Sequence, residues 1–183
     1  MVGEEVFTSV LTAAKSGADW AWSSIFNQLF GPVTGYLASR GAVEPEDTAS
    51  EVFLKVARSI QDFDGDETSF RSWVFVIAHR TLIDERRQRS RRPDQVAPPP
   101  DEASEGGNVE EEAVESLVTA EVLAAFGRLT ETQRDVLALR MVAGLSLEQT
   151  AQVLGKRIGA VKALQHRALA SLKQELDLSH VSR

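Results

Sequence analysis

The stretch Ser146 to Leu172, SLEQTAQVLGKRIGAVKALQHRALASL, decides the fold. Ser146 and Gln149 have the spacing of a capping box, in which the serine oxygen accepts a backbone N–H and the glutamine reaches back to the serine's own N–H. A helix therefore starts here. Ala151 falls where two crossing helices leave little room, and Gly155 falls where a tight turn calls for positive φ. Beyond that turn Val161 and Leu164 face inward. Arg157, Ile158, Gly159, Lys162, Ala163 and His166 then face outward on a second helix, of the kind that lies in a DNA major groove. On these residues alone an αα-hairpin in an ordinary helical core fits the same pattern.

Upstream, Thr130 and Gln133 repeat the capping box ahead of Val136, Leu137, Leu139 and Met141, and Val114, Leu117, Val118, Val122 and Ala125 form an earlier apolar stripe. Residues 113–183 thus read as a small four-helix domain that needs all of its core. Before it, residues 93–112, PDQVAPPPDEASEGGNVEEE, combine Pro, Gly and acids with hardly any apolar side chains, as a linker does. A flexible coil of about 20 residues spans roughly 25 Å on average and about 70 Å when stretched. The flanking parts can therefore sit more than one DNA turn apart, about 34 Å.

The net charge of −7 looks unsuited to nucleic acid until it is divided along the chain. Lys/Arg against Asp/Glu run 11 to 13 over residues 1–92, none to 9 over residues 93–121, and 9 to 5 over residues 122–183. Overall acidity hides two basic faces separated by an acidic strip. The chain has no cysteine, so disulfides and thiolate metal sites are excluded. No apolar run approaches the roughly 20 residues of a membrane span, and the start MVGEEVF lacks the pattern of a signal peptide. A cytoplasmic protein without membrane insertion is expected.

Residues 1–92 read as a second helical domain. Trp22, Ile25, Phe26, Leu29, Phe30, Val33 and Leu37 recur at helical spacing, with a kink or break expected at Gly31 and Pro32. A helix after Pro45 buries Val52, Phe53, Val56, Ala57 and Ile60, and its other face runs from acidic (Glu46, Asp47, Glu51) to basic (Lys55, Arg58), in accord with the helix dipole. Next comes the polar loop DFDGDETS, Asp62 to Ser69. It is not a calcium loop: counted from Asp62, Gly65 is fourth, Glu67 sixth and Trp73 twelfth, whereas an EF-hand wants Gly sixth and Glu twelfth. From Phe70 a helix resumes with Trp73, Val74 and Ile77 inward. It then turns cationic at Arg80, Arg86, Arg87, Arg89, Arg91 and Arg92, broken only by Asp84 and Glu85, and stops at Pro93. The arginines make either a solvated helix tail or a surface for phosphate oxygens. Trp73 and Phe75 are either core or platforms for unpaired bases, with the apolar stripe favouring core for Trp73.

The three histidines, His79, His166 and His180, lack metal-ligand spacing, and no phosphate-cradling glycine loop or nucleophile elbow is present. The chemistry is that of a binding protein, neither an enzyme nor a cofactor carrier. One reading is a stand-alone helix-turn-helix repressor or activator, but it leaves the arginine-rich helix and the long linker without a purpose.

Taken together, SEVFLKVARSIQDFDGDETSFRSWVFVIAHRTLIDERRQRSRR, an acidic linker and LTETQRDVLALRMVAGLSLEQTAQVLGKRIGAVKALQHRALASL resemble bacterial RNA polymerase sigma factors of the extracytoplasmic-function (ECF) class. The resemblance runs from about Trp20 to Leu176. It implies an all-α protein of two helical domains, the first binding core RNA polymerase and the minus-ten promoter element, the second the minus-thirty-five element. By similarity, Asp47, Glu51, Phe53, Leu54 and Lys55 fall in the segment that docks on polymerase. The loop Phe63 to Ser69, with Phe63 and Asp64, matches the one that captures a flipped base. His79, Arg80, Asp84, Arg86 and Arg87 fall on the minus-ten helix, and Arg157, Lys162, His166 and Arg167 on the minus-thirty-five helix. Promoter DNA and an inhibitory anti-sigma factor are the further partners implied. The chain departs from the pattern at Thr48 and Ala49, where many relatives carry an apolar residue and a glutamine, and at Ala163, Leu164 and Gln165 in the recognition helix. No additional C-terminal domain is expected after Leu178.

Overall fold

The computed structural model describes residues 4–91 and 122–181, and every regular element among them is helical. The first group comprises α1 (Glu4–Lys15), α2 (Asp19–Ser39), α3 (Pro45–Ser59), a 3-10 turn (Ile60–Asp62) and α4 (Glu67–Arg91). The second comprises α5 (residues 122–128), α6 (Glu131–Leu137), a π-helical turn (Ala138–Val142), α7 (Leu147–Leu154) and α8 (Ile158–Val181). The linker expected at 93–112, the helix stop at Pro93, Arg92, and the stripe residues Val114, Leu117 and Val118 lie outside the described residues.

Helix α1 was not anticipated. Its Phe7, Leu11 and Ala14 repeat at i, i+4, i+7 and are buried, which is enough to fold a short helix onto the others. Helix α2 corrects the expected break, because it runs unbroken through Pro32. Proline cannot serve the carbonyl four residues back, but that residue, Gln28, is exposed, so water can satisfy it. The fully buried Val33, Tyr36 and Leu37 beyond the proline hold the last turns in place. In α3, Val52, Phe53 and Val56 are buried as expected whereas Ala57 is exposed, and Thr48 and Ala49 take the inner positions of the first turn. Phe75 of α4 is fully buried against Tyr36, ring centroids 5.8 Å apart, so it is core and no base platform. Trp73, on the neighbouring stripe, is half-buried.

Both capping boxes form: Gln133 N donates to Thr130 Oγ1 at 3.4 Å, and Gln149 N donates to Ser146 Oγ at 3.1 Å. Each glutamine Oε1 accepts from its cap residue's backbone N–H, at 2.9 and 2.7 Å. After α7, Gly155 adopts φ +60°, and Lys156 N donates to Ala151 O at 2.9 Å, the closing bond of a Schellman motif. Val136, Ala151 and Val161 then pack together where α6, α7 and α8 meet, and Leu129, Leu137 and Ala168 form a second small cluster.

These clusters are too small to stand as the only core of the second group. Ala138, Leu139, Ala143, Leu145 and Val153 instead join the main cluster built by α1 to α4. The π turn is what presents them: its wider winding is closed by Ala143 N to Ala138 O at 2.9 Å and turns Ala138 and Leu139 toward α2. The two groups, which a 20-residue linker allows to stand apart, are therefore docked, with α7 lying against α4 and the π turn against α2.

Candidate nucleic-acid interface

The outer face of α8 carries the first basic surface. The short turn aims the helix start outward, and Val161 and Ala168, both fully buried, set which side faces in. Arg157, Lys162, His166 and Arg167 are all exposed, as the spacing predicts, together with Ile158, Gly159 and Ala163. Among the described residues none of Arg157, Lys162, His166 and Arg167 is held by an ion pair. Their charge is available to an external anion.

The second surface is the loop before α4 and the start of that helix. Phe63 is buried, its ring 5.1 Å from Phe70 and 5.0 Å from Trp73, while Asp64 stays exposed. Gly65 takes φ +152°, and a Cβ there would come within 3.1 Å of the Phe63 ring and of Ser69 Cβ, so a side chain would be strained. Asp66 Oδ1 accepts from Ser69 N at 2.7 Å, and these bonds hold its carboxyl below its ordinary range. A cleft of about 430 Å³ opens over this loop, lined by Ser59, Asp62, Phe63, Asp64, Ser69, Trp73 and, from α7, Gln152. It has an aromatic wall, carboxylates and hydroxyls, the combination that receives a planar polar ring.

Farther along α4 the residues expected to share one face divide in two. Arg80, Asp84 and Arg87 line a shallow cleft of about 310 Å³ with Ile83, and Arg87 stands 3.9 Å from Asp84. His79 and Arg86 point the other way, into a polar cluster between the two helical groups. Tyr36 Oη lies 2.8 Å from His79 Nδ1, and Arg86 donates to Glu131 Oε1 at 2.6 Å and to the carbonyl of Arg40. At its centre Arg40, with 1% of its side chain exposed, donates Nε to Asp135 Oδ1 at 2.7 Å. Burial pushes the His79 pKa below its ordinary value, with Asp135 opposing and Arg40 and Arg86 reinforcing, and raises that of Tyr36.

The candidate docking surface on α3 is partly buried structure. Phe53 packs under Phe26 and Phe30, centroids 5.1 and 5.9 Å away. Lys55 bridges Glu51 at 2.8 Å and donates to Thr81 Oγ1 at 3.0 Å. Asp47, Glu51 and Leu54 remain exposed, Leu54 at 58%.

Sequence reasoning missed the joints between the groups. Arg40 and Asp135 are 95 positions apart, and no local pattern pairs them. Arg71, half-buried over the Phe75 ring, donates to Ala143 O at 2.6 Å, and Gln149 Nε2, beyond its capping role, donates to Thr68 O at 3.0 Å. Only the paired capping glutamine carried any signal in advance. Among the described residues no cluster able to hold a metal ion occurs, and no helix is long and apolar enough to cross a membrane.

Comparison with known proteins bears on the whole arrangement. The family model Sigma-70 region 2 matches residues 27–92, and Sigma-70, region 4 matches residues 125–174. The ECF RNA polymerase sigma factor BldN of Streptomyces coelicolor is 33% identical over 166 residues, covering 89% of this chain and 63% of BldN's length. The ECF RNA polymerase sigma factor ShbA of Streptomyces griseus is 36% identical over 132 residues, 70% of this chain and 69% of that protein. In fold the chain is similar to CnrH, solved in complex with the cytosolic domain of CnrY, with TM-score 0.69, 23% identity and coverage of 94% and 97% of the two chains. It is likewise similar to the sigma factor RpoE of Bartonella quintana, solved with the anti-sigma factor NepR, with TM-score 0.67, 19% identity and coverage of 85% and 96%. With both regions matched in order on an all-helical frame, the chain belongs to the ECF class of RNA polymerase sigma factors.

Proposed function

We propose that the chain acts in the cytoplasm as a dissociable sigma factor, binding core RNA polymerase and directing it to a set of promoters. The observation that carries this reading is the coexistence of a basic face on α8, without ion pairs among the described residues, with an aromatic-walled cleft at the start of α4, the first in sigma-70 region 4 and the aromatic wall of the second in region 2. One suits duplex DNA and the other an extruded base.

In this reading Arg157, Lys162, His166 and Arg167 enter the major groove at the minus-thirty-five element, with phosphate contacts setting position and base-edge contacts setting sequence. The cleft around Phe63 and Asp64 takes a flipped minus-ten base. Extruding a base costs a few kcal/mol, which stacking and hydrogen bonds in the cleft offset. Arg80, Asp84 and Arg87 face the adjoining strand. His79 and Arg86 belong to the same helix but are engaged with Tyr36, Glu131 and Arg40, so they support the helix from behind while the two groups are docked. Asp47, Glu51, Leu54 and Lys55 meet the polymerase over the aromatic base of Phe53. Gln152 lines the base cleft from α7, so full access to it accompanies separation of the two groups on polymerase. An anti-sigma factor that holds the groups together fits the same surfaces; the similar sigma factor RpoE was solved in complex with the anti-sigma factor NepR.

Run-off transcription from a genomic template pool with purified core polymerase tests the function. Discrete transcripts appear only when core enzyme and this chain are both present. If no promoter responds while the chain alone protects symmetric half-sites on duplex DNA, it is instead a stand-alone repressor or activator.

A further inference from the structure

We infer that α1, which lies wholly before the matched region 27–92, is a positioning element for the base-capturing loop. The inference rests on the reading of the cleft given above. Two features tie α1 to the loop beyond ordinary core packing. At its C-terminal end Lys15 Nζ, half-buried, donates to the carbonyl of Phe63 at 2.6 Å, the point where the chain enters the loop. The side-chain amide of Gln61, two residues earlier, donates back to the carbonyl of Lys15, so the bracing is reciprocal. At the other end Phe7 packs on Phe70 with centroids 5.6 Å apart, and Phe70 contacts both Phe63 and Trp73, the two aromatic walls of the cleft.

The loop's other fixings lie toward α4, where Gln28 Nε2 donates to Glu67 Oε1 at 3.1 Å and Gln149 Nε2 to Thr68 O at 3.0 Å. Asp64 and Gly65 are exposed, and the Asp66–Ser69 bond holds only its far side. Without Lys15 the Phe63 carbonyl loses a charged donor, and Phe63 keeps its N–H bond to Ile60 O at 3.2 Å and its ring contacts with Phe70 and Trp73 of α4. A platform that must receive a base in one orientation loses affinity when its wall is free to rotate. Lys15 therefore acts through Phe63, and its own contact with DNA is not required.

The test uses the full chain assembled with core polymerase. The probe is a fluorescent single-stranded oligonucleotide carrying the non-template minus-ten sequence of a promoter that the holoenzyme transcribes. Lys15→Met is expected to weaken its binding roughly tenfold, the effect of removing a charged hydrogen bond. Affinity for core polymerase and for a minus-thirty-five duplex stays unchanged, and Lys15→Arg, which keeps a charged donor, restores oligonucleotide binding. Unchanged oligonucleotide affinity in Lys15→Met overturns the inference. So does a loss that matches a parallel loss of core binding and is not rescued by arginine, since that marks a general folding role. Asp64→Ala separates the two levels. If it weakens the oligonucleotide while Lys15→Met does not, only the role of α1 falls; if neither does, the reading of the cleft falls with it.

Discussion

The two basic regions of this molecule are built in opposite ways. On α8 the basic side chains project into solvent without ion pairs among the described residues, on a helix seated by the buried Val161 and Ala168. On α4 the positive charge is threaded through structure: Arg86 is spent on Glu131 and a carbonyl, Arg89 on Glu85, and Arg87 stands near Asp84. A face that meets duplex phosphate gains from uncompensated charge, because counterion release supplies its binding energy. A face that must hold a separated strand in one orientation gains from rigidity, and compensated charges on a packed helix supply that.

The contrast between the two faces has measurable consequences, the largest at the joint behind α4. Asp135→Ala removes the hydrogen-bonded carboxylate of the buried Arg40 guanidinium and leaves only Glu131, 4.0 Å away and exposed, and losing one partner of a buried pair costs about 3–5 kcal/mol. Urea unfolding measures it, and a cost below about 1 kcal/mol means the joint behind α4 is not a rigid element. Arg157→Ala and Lys162→Ala each weaken binding to a cognate minus-thirty-five duplex by about 1–3 kcal/mol where they contact bases bidentately. Fluorescence anisotropy on cognate and scrambled duplexes separates base contacts from phosphate contacts, since the latter lose equally on both. Ser146→Ala removes the cap of α7 and costs about 1 kcal/mol, visible as a lower urea midpoint with an unchanged slope.

The smallest effect is a dependence on pH behind α4. The folded-state pKa of His79 lies below its ordinary value of 6.5, so the unfolded chain binds the proton more readily. Its contribution to stability is complete above pH 6.5 and is lost as pH falls from there toward the lower folded pKa. Asp135, Glu131, Arg40 and Arg86 are the charged groups facing it, the two acids opposing its depression and the two arginines reinforcing it. His79→Gln is expected to flatten unfolding free energy measured between pH 6.5 and 5.5, and an unchanged slope assigns the dependence to another group.

What the residues determined by themselves was local. Capping boxes at Thr130 and Ser146, a left-handed Gly155 and inward Val161 follow from interactions within a few positions of one another, and such interactions are readable along the chain. The exposed cations of α8 followed from the same short-range geometry, as did the polar loop at Asp62 to Ser69. Tertiary structure decided the rest. It carried α2 through Pro32, because buried neighbours outweigh one missing hydrogen bond. It made Phe75 core, turned His79 and Arg86 away from Arg80 and Arg87, and folded an unforeseen α1 against the loop. It also docked the two helical groups through Arg40 and Asp135, residues 95 positions apart. The spacing of side chains along a helix fixes which of them share a face. Which face is covered depends on partners remote in the chain, and only the packed molecule brings those together.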